Sequence, residues 1–176
     1  MSRPWVLWLP LVVFGFLLML VLWGMNRERD DFVRSRLIGQ PVPAFDLPPA
    51  VDGKPGLAST DLSAGQPRLV NFFGSWCIPC RAEAPHLDAL ARAGVPIDGI
   101  ALRDEPANVA QFLSDYGDPF QRIGADRDGR LQVLFGATGV PETYLVRADG
   151  TILLQHIGDI RADDVPGLIQ AWKAAG

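Results

Sequence analysis

The sequence predicts an α/β domain with a mixed sheet, placed behind a long apolar N-terminal segment. Three observations point there. Apolar runs of strand length interleave with stretches of helical spacing from Leu69 onward. Asp149-Gly150 supplies a turn signal between two such runs near the C-terminus. The first 25 residues differ in composition from everything after them. Strand, helix, strand, then a hairpin and a closing helix is the order of an α/β sheet that mixes parallel and antiparallel neighbours.

From Pro4 to Met25, 22 consecutive residues carry no charge. As a helix rising about 1.5 Å per residue, they would cross the ~30 Å hydrocarbon core. Trp5 and Trp8 lie near one end and Trp23 at the other, where indoles favour the bilayer interface. A cleaved signal has a shorter apolar core and a small-x-small site, which Trp23-Gly24-Met25-Asn26 does not supply. Residues 1–25 are therefore expected to form an uncleaved membrane anchor. Arg3 precedes the segment, whereas Arg27, Arg29, Arg34 and Arg36 follow it, so a strict count of basic residues puts the C-terminal side in the cytoplasm. Residues 26–38 read as a juxtamembrane tether and 39–176 as a single domain. With 16 Lys and Arg against 20 Asp and Glu, the chain has no basic excess with which to attract nucleic acid.

Within the domain, 39–66 is rich in Pro and Gly and suits a hairpin or extended lead-in. Residues 69–73 read as a buried strand, and 80–93 as a helix stopped by Gly94 and kinked by Pro85. A second strand is expected over 96–102, and a helix opened by a proline over 106–116. A short strand near 121–123 and a short helix near 129–135 come next. Residues 143–147 and 151–156 form the hairpin, and 163–175 the last helix.

Both cysteines of the chain, Cys77 and Cys80, fall where the first core strand meets its helix. Structural zinc needs four ligands, and beyond this pair the chain offers only His86 and His156. Covalent haem attachment needs a histidine where Arg81 stands. A static staple would close too short a loop to restrict the unfolded chain much. Copper delivery by two thiolates and His156 suits soft-ligand chemistry and stays open. The remaining reading is redox. A thiolate at a helix N-terminus sits near the positive end of the macrodipole and near unpaired N–H groups, which lowers its pKa below about 8.5. Cys77 is placed to be that nucleophile. Cys80, one turn inside, is placed to attack a mixed disulfide on Cys77 and release the reduced partner.

Trp76-Cys77-Ile78-Pro79-Cys80 after an apolar strand, with Pro85 five residues beyond the second cysteine, resembles the thioredoxin superfamily. Gly139-Val140-Pro141-Glu142-Thr143 resembles its cis-proline loop. The anchor, the lead-in GQPVPAFDLP, the strand LVNFFGSWC, the helix start CRAEAPHL and the loop GVPETYLV narrow the resemblance to the CcmG or DsbE family, over essentially the whole chain. The resemblance implies a thioredoxin-like fold behind a transmembrane helix, a redox-active Cys77–Cys80 disulfide, and no other cofactor. It implies that Pro141 is cis and that the backbone of Val140 pairs with an incoming peptide as an added strand, with Trp76 and Thr143 beside it. Asn71 stands where thioredoxins carry a buried acid, which leaves Glu83 and Glu142 as candidates for proton transfer. The resemblance places both acids near the cysteines; read as ordinary charged residues, they would be solvated.

The function so implied is that of a protein disulfide reductase, anchored in the bacterial inner membrane with its domain on the periplasmic side. Its clients would be apocytochrome c or a CcmH-type maturation factor, and its electrons would come from a DsbD-type or CcdA-type transporter. The rivals are a general tethered reductase of the TlpA or ResA kind, and a copper-binding or apoprotein-holding module. His86 and His156 are expected to be structural, Trp172 to be core, 126–129 to be a turn, and 103–105 to be a solvated charge run.

Overall fold

The computed structural model describes the backbone of residues 5–25, 36–63 and 65–176, with side chains over 8–20 in the first stretch. The chain divides into two units, Met1–Phe32 and Val33–Gly176. In the first unit α1 (Trp5–Met25) is a helix of 21 residues containing Pro10, and its described side chains are exposed. Among the described residues no helix is long and apolar enough to cross a membrane. Residues 8–20 alone would cover only about 20 Å at a helical rise. The tether expected at 26–38 lies, up to residue 35, outside the described residues.

The second unit opens with β1 (Asp46–Leu47) paired antiparallel to β2 (Leu57–Ala58), the hairpin form of the expected lead-in. A single helical turn, α2 (Ser59–Leu62), follows; the Asp61 carboxylate accepts from the Ala58 N–H, a local cap that the Pro/Gly-rich composition had masked. Then come β3 (Arg68–Phe73), α3 (Ile78–Arg92), β4 (Ile97–Leu102), α4 (Pro106–Tyr116), β5 (Ile123–Asp126), α5 (Arg130–Phe135), β6 (Glu142–Val146), β7 (Ile152–Ile157) and α6 (Asp164–Ala175). The strands β3–β7 form one sheet in the order β5-β4-β3-β6-β7. β4 runs parallel to both β3 and β5, whereas β6 is antiparallel to both β3 and β7. The mixed sheet expected from the element order is present, with the first core strand at its centre.

Most elements of the main sheet and its helices fall within one residue of the expected boundaries, and two, α3 and β5, differ by more. α3 starts at Ile78 with Cys77 as its N-cap, because Pro79 fits the first helical turn, and it runs on through the exposed Pro85 as one element. β5 begins at Ile123 and ends at the buried Asp126, later than the 121–123 expected. Asp126 reads as a turn residue in the sequence, yet its carboxylate accepts from the N–H groups of Leu131 and Gln132 at the start of α5. That capping allows a charged residue to end a core strand.

Strand alternation divides the core. Leu69 and Phe73 of β3, Ile97 and Ala101 of β4, Ile123 and Ala125 of β5 and Leu145 of β6 face one side, with α3, α4 and α6. Val70 and Phe72, Ile100, Tyr144 and Val146 face the other, with β2, α2 and α5. On the first side Phe73 stacks on Phe120 with centroids 4.9 Å apart. Gly99 makes room for them, since a Cβ there would lie 2.9 Å from Phe73 and 3.1 Å from Phe120. Trp172 is half-buried against the same cluster and donates to the Pro67 carbonyl at 2.8 Å.

On the second side the sheet holds an ion pair invisible to hydrophobic patterning. The Arg68 Nη1 lies 2.6 Å from Asp98 Oδ2, with Asp98 wholly buried and Arg68 nearly so. Burial pushes the Asp98 carboxyl above its ordinary range, with Arg68 pulling it back. Removing one member of a buried pair strands the other charge, a loss of about 3–5 kcal/mol. Asp98→Ala should therefore lower stability in urea denaturation by that order, and the double change Arg68→Met with Asp98→Leu should recover most of it. A double variant no more stable than Asp98→Ala would rule out a stranded charge as the cause.

Candidate active site

β3 ends at Phe73, and the chain turns through Gly74-Ser75-Trp76 to reach Cys77 at the cap of α3. Cys77 and Cys80 are joined as a disulfide, with Cα atoms 5.3 Å apart, so this is the oxidised form of the pair. The Cys80 N–H donates to Cys77 Sγ at 3.2 Å. The sulfur of residue 77 thus occupies the capping position, facing the unpaired amides of the first turn. Both cysteines are buried, Cys77 at 4% exposure, whereas Trp76 at 53% and Ile78 at 75% stand out around them.

The loop before Cys77 is held from the β4–α4 connection. Asp104 Oδ2 accepts from the Ser75 N–H at 2.6 Å and Oδ1 from the Ser75 hydroxyl at 2.9 Å. Trp76 Nε1 donates to the Leu102 carbonyl at 3.2 Å. Arg81 donates from Nη2 to the Ser75 carbonyl at 2.8 Å while lying over the Tyr116 ring. The indole of Trp76 folds back over Gly74, where a Cβ would lie 2.7 Å from the ring. Of the expected solvated run at 103–105, Arg103, at a φ of +47°, and Glu105 are exposed, whereas Asp104 is corrected: it is half-buried and bound to Ser75 in the loop before Cys77. A cleft of about 250 Å³ opens between this loop and α4, lined by Trp76, Arg81, Gln111, Phe112 and Tyr116 among others.

Beneath the pair lies Glu83, wholly buried. It lines the same small cavity as Asn71 and Cys80. Its Oε1 accepts from Asn71 Nδ2 at 3.0 Å and its Oε2 from the Ile160 N–H at 3.1 Å. Burial pushes this carboxyl up to about 7, against the lowering effect of those two hydrogen bonds. The solvated reading of Glu83 is overturned: α3 turns residues 80, 83, 84 and 87 onto the sheet.

The peptide bond Val140-Pro141 is cis, as the resemblance implied, and Pro141 is buried. Val140 is half-buried and makes no backbone hydrogen bond among the described residues. Thr143, expected beside the client, is corrected: it is buried, its hydroxyl accepts from Asn71 Nδ2 at 3.0 Å, and it is paired within the sheet to Asn71 and His156. Glu142 is also wholly buried, so it too is not solvated, but its carboxylate does not join Glu83. Paired opposite Phe72, it faces the other side of the sheet. There Oε2 accepts from the Thr138 N–H at 2.9 Å, and Oε1 from the Tyr144 hydroxyl at 2.6 Å and from Gln155 Nε2. Burial first, and Glu142 second, push the Tyr144 hydroxyl far above its ordinary range, so it stays a donor. Asn71, Thr138, Tyr144 and Asp104 are site residues that sequence reading did not assign to these roles; a polar residue inside an apolar strand, as at Asn71, was the one available signal.

His156 Nε2 lies 3.9 Å from Asp164 and 3.4 Å from the Asp159 carbonyl. Among the described residues no three His, Cys, Asp or Glu side chains are grouped to hold a metal ion.

Glu83 sets a pH dependence of stability. Its folded pKa of about 7 exceeds the ordinary 4.5, so between those values the folded protein holds the proton more tightly than the unfolded chain. The stability is fully present below about 4.5 and is lost as pH rises through about 7. The loss is of the order of 3 kcal/mol at 1.36 kcal/mol per unit. In urea titrations of the oxidised protein at pH 5 and pH 8, wild type should lose about that much more than Glu83→Gln; parallel losses would contradict the assignment.

Residues 38–155 match the AhpC/TSA family. The chain is 38% identical over 158 residues to thiol:disulfide interchange protein DsbE of Pseudomonas fluorescens biotype C, covering 90% of this chain and 87% of that protein. It is 35% identical to DsbE of Escherichia coli K12, covering 88% and 86%. Among solved structures, a secreted Mycobacterium tuberculosis disulfide oxidoreductase homologous to Escherichia coli DsbE superposes with a TM-score of 0.62 at 28% identity, over 73% of this chain and 96% of that one. With the joined cysteines at the strand-to-helix junction, this similarity over most of both lengths makes the chain a thiol-disulfide oxidoreductase and a member of the DsbE family of thiol:disulfide interchange proteins.

Proposed function

We propose that this protein reduces disulfides in apocytochrome c, or in a maturation partner that holds it, from the outer face of the bacterial inner membrane. The observation that carries the exchange chemistry is the Cys77–Cys80 pair with Glu83, a buried carboxyl in the cavity of Cys80 that titrates near neutrality; the reductive direction is inferred from the resemblance to the DsbE family. A general base works best with a pKa close to the working pH. In the reduced protein the Cys77 thiolate attacks one sulfur of the client disulfide. A mixed disulfide forms on Cys77, and one client thiolate leaves. Cys80 then gives its proton to the Glu83 carboxylate and attacks Cys77 Sγ. The Cys77–Cys80 disulfide closes, the second client thiolate leaves and takes up a proton, and two electrons have passed to the client. The oxidised pair is the state seen here. It is returned to the dithiol by a membrane electron donor of the DsbD or CcdA type.

The anchored, periplasmic placement is supported by the uncharged run from Pro4 to Met25 and the helix over Trp5–Met25. It is also supported by the need for a membrane reductant wherever the surroundings are oxidising. The basic residues after the segment argue the opposite way, and the resemblance to the DsbE family outweighs them. Alkaline phosphatase fused after Gly176 should be active, whereas an inactive fusion beside an active cytoplasmic reporter would defeat this placement.

Changing Cys80→Ser removes the resolving thiol, so Cys77 should accumulate mixed disulfides in cells. Mass spectrometry of the trapped species should find apocytochrome c or its maturation factors. A broad set of unrelated periplasmic proteins would instead make this a general tethered reductase.

A further inference from the structure

Ser75 stands between the end of β3 and the cysteines, and each of its polar groups is held by another part of the protein. Its N–H donates to Asp104 Oδ2 at 2.6 Å and its hydroxyl to Asp104 Oδ1 at 2.9 Å. Its carbonyl accepts from Arg81 Nη2 at 2.8 Å. Both oxygens of one carboxylate are therefore spent on a single residue two places before Cys77. The Cys77 N–H in turn donates to the Gly74 carbonyl at 3.1 Å, which closes a turn with Ser75 and Trp76 at its corners. That turn sets where the Cys77 sulfur arrives, against the Cys80 N–H at 3.2 Å.

The backbone that presents Asp104 is itself constrained. Arg103 has a φ of +47°, the single positive value at a non-glycine position among the described residues. Such a conformation crowds the Cβ and persists only where the surroundings hold it. Here the Arg103 N–H donates to the Asp126 carbonyl at 3.0 Å, at the end of β5, and its guanidinium lies so close over Gly129 that a Cβ there would meet Nε at 2.7 Å. A strained turn tied to β5 is thus followed by a carboxylate tied to the approach to Cys77.

We propose that Asp104 is a positioning residue for the nucleophile: by holding Ser75 at its N–H and its hydroxyl it locks the Gly74–Cys77 turn and keeps the Cys77 sulfur on the N-terminal amides of α3. It acts through Ser75 and takes no proton or electron itself. This rests on Cys77 being the attacking sulfur, and not on what it attacks, so the cysteine trap can return unexpected clients while this holds.

Asp104 bears on a thiolate at Cys77 in two opposed ways. Its negative charge disfavours the thiolate, whereas its hold on the turn keeps the thiolate beside the amides that stabilise it. Asp104 is half-buried, so solvent screens its charge and the hold prevails. The two are separable, because asparagine can still accept from the Ser75 N–H and donate to the Ser75 hydroxyl oxygen without carrying a charge.

The test uses the full-length chain with Cys80→Ser, which leaves Cys77 as its single thiol and keeps the backbone N–H of residue 80. Ultraviolet thiolate absorbance is followed against pH. The other ionisable side chains at the start of α3, Arg81 and Glu83, and the neighbouring Glu105 are the same in every variant. Asp104→Ala should raise the half-titration point by about one unit, a tenfold loss of thiolate on the scale of one weakened hydrogen bond to a charged group. Asp104→Asn should leave it at or below its starting value, the rescue that a role by position requires. Ser75→Ala keeps the carboxylate and removes one of its two contacts, so it should raise the point by less and keeps the test available if Asp104→Ala folds poorly. In Asp104→Ala the Ser75 amide should also exchange hydrogen about tenfold faster. A fall in both Asp104 variants would overturn the proposal in favour of charge alone. Faster Ser75 exchange with an unmoved half-titration point would overturn it too, because the turn would then be held without placing the sulfur.

Discussion

The amide of Asn71, at the middle of the central strand, sets the geometry that the rest of the site depends on. Its two hydrogens go in two directions, one to Glu83 on α3 and one to Thr143 on β6. α3 carries both cysteines at its start, and β6 follows directly from the cis-proline. One buried side chain therefore registers the redox pair against the loop that would receive a client. Its Oδ1 has no partner among the described residues, a penalty of about 1–3 kcal/mol that a purely structural core position would avoid with a leucine or valine.

Two glutamates that look alike in the sequence have been separated by the sheet. Glu83 reaches the sheet from a helix above it and lies with Cys80 and Asn71. Burial outweighs its two hydrogen bonds, so its proton is exchangeable near neutrality. Glu142 sits on a strand one residue before an inward-facing threonine, so it must face the other side. There it meets several donors and no thiol. The same side chain has thus been given two surroundings, one in a cavity shared with Cys80 and one among neutral donors, and only the environment distinguishes them.

The loop around the cysteines is held just as deliberately. Asp104, Leu102 and Arg81 all bind the short segment Ser75-Trp76, which leaves the Trp76 and Ile78 side chains outward over buried sulfurs. An incoming disulfide therefore meets an apolar rim first. The sulfur of residue 77 then lies against the amides of a helix N-terminus, where a thiolate is stabilised as it forms or leaves. Val140, before the cis-proline, makes no backbone hydrogen bond among the described residues.

By itself the sequence determined the order and kind of nearly all the elements and the cysteine pair at a helix start, whereas the cis-proline loop came from its resemblance to a known family. These depend on local periodicity, on turn residues and on a short motif, all of which are written in contiguous residues. The β5 boundary, the Arg68–Asp98 pair and the capping role of Asp126 were not legible, because a charge inside a strand looks like a break until its partner from another segment is in place. The inward turn of Thr143, the separation of Glu83 from Glu142 and the hold of Asp104 on Ser75 were decided only by the tertiary structure. Each depends on which face of the sheet a residue takes and on contacts between residues far apart in the chain, and neither is encoded in any one stretch of sequence.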